Sequence, residues 1–176
     1  MDNFAKITKI STFDKGKRVL LDFMEEFSCN DCIFVGNTFY GFFALPSENH
    51  PSENYLPRPF RFNAGAINQY VLTENGVKYL SEVKMGDKIA VLKNGNLTYY
   101  TIARVKCEIR DFCLIQATLL NQTFSVIVQN GDTTTFMGKN GLVFLKDLAC
   151  GDEILIYPHN NPTHLGKEKQ EFCEEY

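Results

Sequence analysis

Val83-Lys84-Met85-Gly86-Asp87-Lys88-Ile89 and Leu148-Ala149-Cys150-Gly151-Asp152-Glu153-Ile154 are two copies of one pattern. Each places Gly-Asp and a charged residue ahead of an isoleucine that opens an apolar run. Tyr79-Leu80-Ser81-Glu82 precedes the first copy and Phe144-Leu145-Lys146-Asp147 the second, and both read as a single helical turn. Phe13-Asp14-Lys15-Gly16-Lys17-Arg18-Val19 has a related form and predicts a third equivalent corner. Glycine takes corner conformations closed to other residues, and a β-branched residue after it favours a strand. A strand, short turn, strand unit at such long spacing predicts related β modules that close small barrels. It does not predict a solenoid of many short repeats.

Working outward, Ala5 to Ile10 alternates apolar and polar residues, Asp14 to Lys17 reads as a turn, and Arg18 to Phe23 as a second strand. Cys32 to Gly36 and Tyr40 to Leu45 read as a hairpin. Leu97 to Arg110, Phe112 to Leu120 and Thr123 to Val128 are further strands, and Asn94-Gly95 and Asn140-Gly141 are hairpin turns because both residues tolerate positive φ. No segment sustains a 3.6-residue period over three turns. The expected fold is mainly β: antiparallel strands in one or two small barrel-like modules with an internal repeat. The expected organisation is an N-terminal β segment with a polar loop (1–57), the repeated β modules (58–166) and a charged tail (167–176).

With 176 residues, 44% hydrophobic and 22% charged, the chain is long enough to bury a core and is not of disordered composition. A net charge of -3 without a basic stripe argues against nucleic-acid binding through phosphates. No apolar run is long enough to span a bilayer, and Met1 to Lys6 lacks the apolar core of a signal peptide, so a cytoplasmic protein is expected. The six cysteines are then expected to be reduced. Cys29-Asn30-Asp31-Cys32 has the spacing of half a zinc site but no second pair, so no metal is expected there.

Chemistry concentrates in Arg58-Pro59-Phe60-Arg61-Phe62-Asn63-Ala64-Gly65-Ala66, which follows the polar loop Ser47 to Tyr55. In a regular strand the two arginines point to opposite faces; in a bend they converge. A guanidinium fork suits carboxylate or phosphate. Asn63 offers an amide, and Gly65 a backbone that a ligand can approach closely. Two guanidinium groups this close need acidic compensation or a bound anion, and Glu48 and Asp132 are the residues expected to supply it. The competing reading is a loop held by structural arginines. Gln129-Asn130-Gly131-Asp132-Thr133 ends an apolar strand, where amides either bind a hydroxylated ligand or cap a turn. No phosphate loop, dinucleotide fingerprint or nucleophile elbow occurs.

The Arg58 to Ala66 run resembles the signature of the type II, archaeal-type 3-dehydroquinate synthase family. Other blocks of that family follow in order: Val35-Gly36, Gly41 to Glu48, Tyr79 to Glu82, Gly86-Asp87, Arg104-Val105-Lys106-x-Glu108, Val128 to Thr133, Gly151 to Glu153 and His164-x-Gly166. The resemblance covers nearly the whole chain but only the C-terminal half of the family. It implies cyclisation of a seven-carbon amino keto acid to 3-dehydroquinate, or to an aminohydroxybenzoate in relatives from secondary metabolism. It implies NAD or a divalent metal as cofactor and a partner subunit supplying the N-terminal half, and is compatible with a homo-oligomer. Glu48 and His164 are carried over as catalytic, and Arg58, Arg61, Asn63, Gln129, Asn130 and Asp132 as substrate-binding. Pro46 and Asn68 stand where the family carries histidines. His50 replaces the first if its loop folds back; otherwise it is an exposed loop histidine.

Three functions fit these residues: an enzyme or enzyme subunit of the resembled kind, a non-catalytic β-barrel binding or assembly module from the same family, and a small metal-binding protein built on Cys29 and Cys32.

Overall fold

The computed structural model describes residues 3–159, 163–164, 167–168 and 175. Fourteen strands make up its sheet. In chain order they begin with β1 (Phe4–Phe23), β2 (Cys32–Thr38), β3 (Gly41–Glu48), β4 (Arg58–Ala66), β5 (Tyr70–Thr73), β6 (Gly76–Tyr79) and β7 (Lys88–Lys93). They continue with β8 (Asn96–Leu119), β9 (Gln122–Gln129), β10 (Thr135–Gly138), β11 (Gly141–Phe144), β12 (Glu153–Pro158), β13 (Thr163–His164) and β14 (Lys167–Glu168). The expected tail at 167–176 lies outside the described residues apart from β14 and residue 175.

The order β3-β4-β1-β8-β7-β2 returns to β3, so the sheet closes into a ring; β12 pairs with both β1 and β3. Pairing is antiparallel except between β13 and β6. The mainly antiparallel β fold with barrel-like closure is thus as expected. Closure removes open edges from the central strands. Alternation along the strands turns Val19, Leu21 and Phe23 inward, where Phe23, Phe27 and Phe62 pack edge-on or tilted at centroid distances of 5.0–5.7 Å. Large rings fill a small ring interior without tryptophan.

The repeat is real and twofold. The hairpin β5–β6 corresponds to β10–β11, the 3-10 turn Leu80–Glu82 to Leu145–Asp147, and β7 to β12. Leu80 and Leu145 are buried, and each accepts a hydrogen bond from the residue three positions on. Asp87 Oδ2 accepts from Lys84 N at 3.0 Å, and Asp152 Oδ2 from Ala149 N at 2.9 Å. Gly86 and Gly151 both have φ of 97° with open space around the missing Cβ, so conformation and not crowding requires glycine. Each corner also bonds a long strand: Gly86 N to Ile102 O, and Gly151 N to Ile7 O.

Gly16 is not a third corner. It lies inside β1 opposite Arg110, at a register shift between Phe13 and Gly16, and its φ is outside the left-handed region. A Cβ there would come 2.9 Å from the Phe112 ring. The Asp14 to Lys17 turn is therefore continuous strand, and the two strands expected from Leu97 to Leu120 are likewise one, β8. Long strands bend and twist through such irregularities without breaking.

Candidate functional site

The same alternation that buries Val19, Leu21 and Phe23 places Arg18, Leu20 and Asp22 on the opposite face of β1. On one flank β8 sets Glu108 opposite Arg18, Lys106 opposite Leu20 and Arg104 opposite Asp22. On the other, β4 sets Asn63 opposite Leu20 and Arg61 opposite Asp22. One face of three adjacent strands thus carries a sheet of charge.

The end of the β3–β4 hairpin, where Glu48 pairs with Arg58, and the turn after β9 rise beside this face. Asn130 N donates to Asp111 O at 2.9 Å and ties that turn to β8. Between them lies a cleft of about 520 Å³, the size of a small-molecule site. Glu48, Arg58, Arg61, Gln129, Asn130 and Asp132 all line it. Arg58 and Arg61 share the cleft despite their odd spacing because β4 advances from Arg58 to Phe62 while β3 advances only from Glu48 to Ser47. This irregularity breaks strict alternation.

Asn63 lies just inside, on a small enclosed cavity that it shares with Glu48 and Gln129, with room for about one water. It donates to Gln129 Oε1 at 2.8 Å and accepts from Gly65 N at 3.2 Å. His164 sits on β13, its backbone opposite Val77 of β6, and its side chain lies outside the described residues. Arg18, Lys106, Glu108 and Arg110 also line the cleft and were not singled out from sequence as site residues.

Three local expectations need correction. Arg61 is compensated first by Asp22, with Nε to Oδ1 at 2.8 Å and Nη2 to Oδ2 at 3.1 Å. Glu48 acts on it at longer range, and Asp132 makes no ion pair among the described residues. Gly65, at φ 78°, approaches the Ile127 carbonyl and not a ligand: a Cβ would fall 2.2 Å from that oxygen. His50 is not exposed. It packs edge-on to Phe144 at 5.3 Å, and neither ring nitrogen makes a well-formed hydrogen bond among the described residues. Burial lowers its pKa, opposed by the backbone at Thr133.

Charges in and beside the cleft are tuned by these contacts. Burial acts to raise the Asp22 carboxyl, but hydrogen bonds from Arg61 and Arg104 outweigh it and hold the group below the usual carboxylate range. Burial pushes Glu48 above that range, and Arg61, Arg18, Arg58 and the Asn63 amide offset it only in part. A carboxyl poised this way, beside cationic groups in a cleft, is suited to proton transfer on a bound anion.

Residues 4–176 match the family described as "3-dehydroquinate synthase II C-terminal domain". The chain belongs to the 3-dehydroquinate synthase II family. Among its relatives, the 3-dehydroquinate synthase of Methanocorpusculum labreanum is 36% identical over 173 residues, covering 97% of this chain and 50% of the relative. That of Methanococcus maripaludis strain C5 is 36% identical over 167 residues, covering 93% and 46%. That of Archaeoglobus fulgidus is 35% identical over 173 residues, covering 97% and 54%. The chain spans about half the length of the curated relatives it matches. No solved structure matches it.

Among the described residues no group of three His, Cys, Asp or Glu side chains converges to hold a metal ion. The cleft's arginines and lysine form a donor set for anions. Cys32 is buried, and burial, then Asp31 and Cys29, push its thiol well above the usual range, which disfavours the thiolate a metal would need. No helix among the described residues is long and apolar enough to cross a membrane.

Proposed function

We propose that this chain is the C-terminal, substrate-holding half of a 3-dehydroquinate synthase II-type enzyme in aromatic biosynthesis, acting on a seven-carbon amino keto acid in the cytoplasm. The supporting observation is the convergence of Glu48, Arg58, Arg61, Gln129, Asn130 and Asp132 on one cleft within a domain of this family. Arg58 holds the substrate carboxylate, since a guanidinium gives a charge-assisted pair of bonds to a planar anion, and Arg61, whose Nε and Nη2 are taken by Asp22, adds positive charge and its remaining Nη1 donor. Gln129 and Asn130 present amides to substrate hydroxyls. Glu48, with its raised pKa, moves a proton at the reacting carbon. His164 is a further proton carrier by family resemblance, and NAD use rests on that resemblance alone.

The N-terminal half comes from another region or from a partner subunit and completes the reaction. Co-expression with the N-terminal half of the Methanocorpusculum labreanum relative, followed by an assay for 3-dehydroquinate, tests the proposal. A stable complex that forms product supports it; a stable complex without product turns the assignment to the non-catalytic module. One observation favours that second reading: Pro46 and Asn68 occupy positions where the family signature carries histidines, which removes two proton carriers.

A further inference from the structure

The cleft holds a second group of cations that a carboxylate at Arg58 and Arg61 leaves unused. Arg18 on β1 and Lys106 and Arg110 on β8 all meet one carboxylate, Glu108. Arg18 Nη2 lies 3.2 Å from its Oε2, Lys106 Nζ lies 2.8 Å from its Oε1, and Arg110 Nη2 also reaches Oε2. The register explains the convergence: Arg18 faces Glu108 directly, and Lys106, Glu108 and Arg110 are alternate residues of one strand. Asp111 is turned toward Lys15 at 4.0 Å. Three cations therefore share a single carboxylate, a local excess of two positive charges within this cluster, while Glu48 and Asp132 line the rest of the cleft. Arg18 adds a structural signal. It is 6% exposed, and its Nε is a buried donor with no acceptor among the described residues, a costly state unless something completes it.

The geometry points to a second anion seat at this end of the cleft, formed by Arg18, Lys106 and Arg110 and suited to a phosphate dianion, with Glu108 as its displaceable internal counter-ion. A dianion balances the two spare charges, whereas a carboxylate balances one. The Arg110 fork and the Lys106 ammonium match the several oxygens of a phosphate, and Arg18, whose Nη1 donates to Gln129 and whose Nη2 meets Glu108, adds charge from below and a donor that displacement of Glu108 would free. The inference rests on the proposed function only in placing both seats in one small-molecule cleft. The phosphate belongs either to a phosphorylated sugar-like substrate or to a nucleotide.

The test is calorimetric titration of the chain with inorganic phosphate, with acetate at matched ionic strength as control. Phosphate should bind at least about tenfold more tightly than acetate. The double substitution Lys106→Gln, Arg110→Gln should weaken phosphate by about tenfold or more with little change in thermal midpoint, since both side chains are about half exposed. Glu108→Gln should tighten phosphate binding, because the competing carboxylate is gone. Arg58→Ala should weaken phosphate binding less than the double substitution does. Competition by a hexose 6-phosphate and by adenosine monophosphate then assigns the source from whichever displaces phosphate more strongly.

Absence of phosphate binding, equal affinity in all variants, looser binding in Glu108→Gln, or competition by neither phosphoester would overturn the seat. Such failure leaves the enzyme proposal standing, because turnover and Arg58→Ala probe it separately. Phosphate binding without turnover in the assembled halves overturns the enzyme proposal and keeps the seat.

Discussion

Asp22 lies directly opposite Arg61 across β1 and β4, and opposite Arg104 across β1 and β8, so one buried carboxylate ties three strands together. The two arginines are not equivalent. The Arg61 side chain is 10% exposed, whereas that of Arg104 is 60% exposed. Removing one partner of a buried pair strands the other, at a cost of about 3–5 kcal/mol. Asp22→Ala and Arg61→Ala should each lose about that much in urea denaturation. Arg104→Ala, the more exposed partner, should lose about 1 kcal/mol or less. Equal losses for the two arginines would show that Asp22 is not organised around Arg61.

Arg58 separates ligand binding from scaffolding. Its Nη1 donates to the Leu56 carbonyl at 3.2 Å, and it makes no ion pair among the described residues, Glu48 acting on it only at longer range. Arg58→Ala should leave stability within about 0.5 kcal/mol and weaken carboxylate binding by about 1.5–3 kcal/mol, the range for a charged hydrogen bond. Calorimetry with small carboxylates, paired with a thermal melt, checks both. A stability loss with unchanged binding would make Arg58 a scaffold residue.

His50 and Asp22 make acid destabilising in two steps, against an opposing contribution from Glu48, whose raised pKa favours the fold as it protonates. His50 is buried with a lowered pKa, so the unfolded chain takes up its proton first as pH falls below about 6.5. Stability drops through that window and levels off below the folded-state pKa. Asp22, held low by its arginines, contributes stability that is present above about pH 4 and lost as pH falls through its folded pKa. His50→Phe should flatten the first step and leave the second. Thermal midpoints across pH, with His50→Phe and Asp22→Asn in parallel, read out each group.

The repeat and the mainly β fold were legible because Gly86-Asp87 and Gly151-Asp152 carry their geometry locally: a positive φ and an aspartate cap need no distant partner. Gly16 misled because its role is tertiary, making room for Phe112. Arg58 and Arg61 were visible as charges in an apolar run, but their convergence depends on an irregular pairing of β3 with β4 that sequence does not reveal. The other half of the cleft was hidden by Val19, Leu20 and Leu21, whose apolar run masks the alternation of Arg18, Leu20 and Asp22. A signal was present on β8, where Arg104, Lys106, Glu108 and Arg110 recur with period two.

Gly65 tests how closely β4 and β9 approach beneath the site. Its φ of 78° and the 2.2 Å distance from an added Cβ to the Ile127 carbonyl oxygen leave no room for a side chain. The adjoining Gln69 amide is fully buried and bonds both Ile127 O at 2.8 Å and Ile127 N at 2.7 Å, so the strands cannot easily part. Gly65→Ala should cost about 3 kcal/mol or more, from backbone strain plus overpacking. A chemical melt near wild type would mean that β4 can shift away from β9.

Glu48 carries the central claim. Its pKa is raised by burial against the pull of Arg61, Arg18 and Arg58, so its neutral form is the easier one to hold. Glu48→Gln should therefore stabilise the fold at neutral pH and lose that advantage below the ordinary carboxylate pKa of about 4.3. In the complex with an N-terminal half, the decisive measurement is the turnover number for 3-dehydroquinate formation by Glu48→Gln against wild type. Removal of a proton-transferring group predicts a fall of about 10²–10⁴-fold with a complex at least as stable. Unchanged turnover in a folded, assembled complex would contradict the assignment of this cleft as the reacting site.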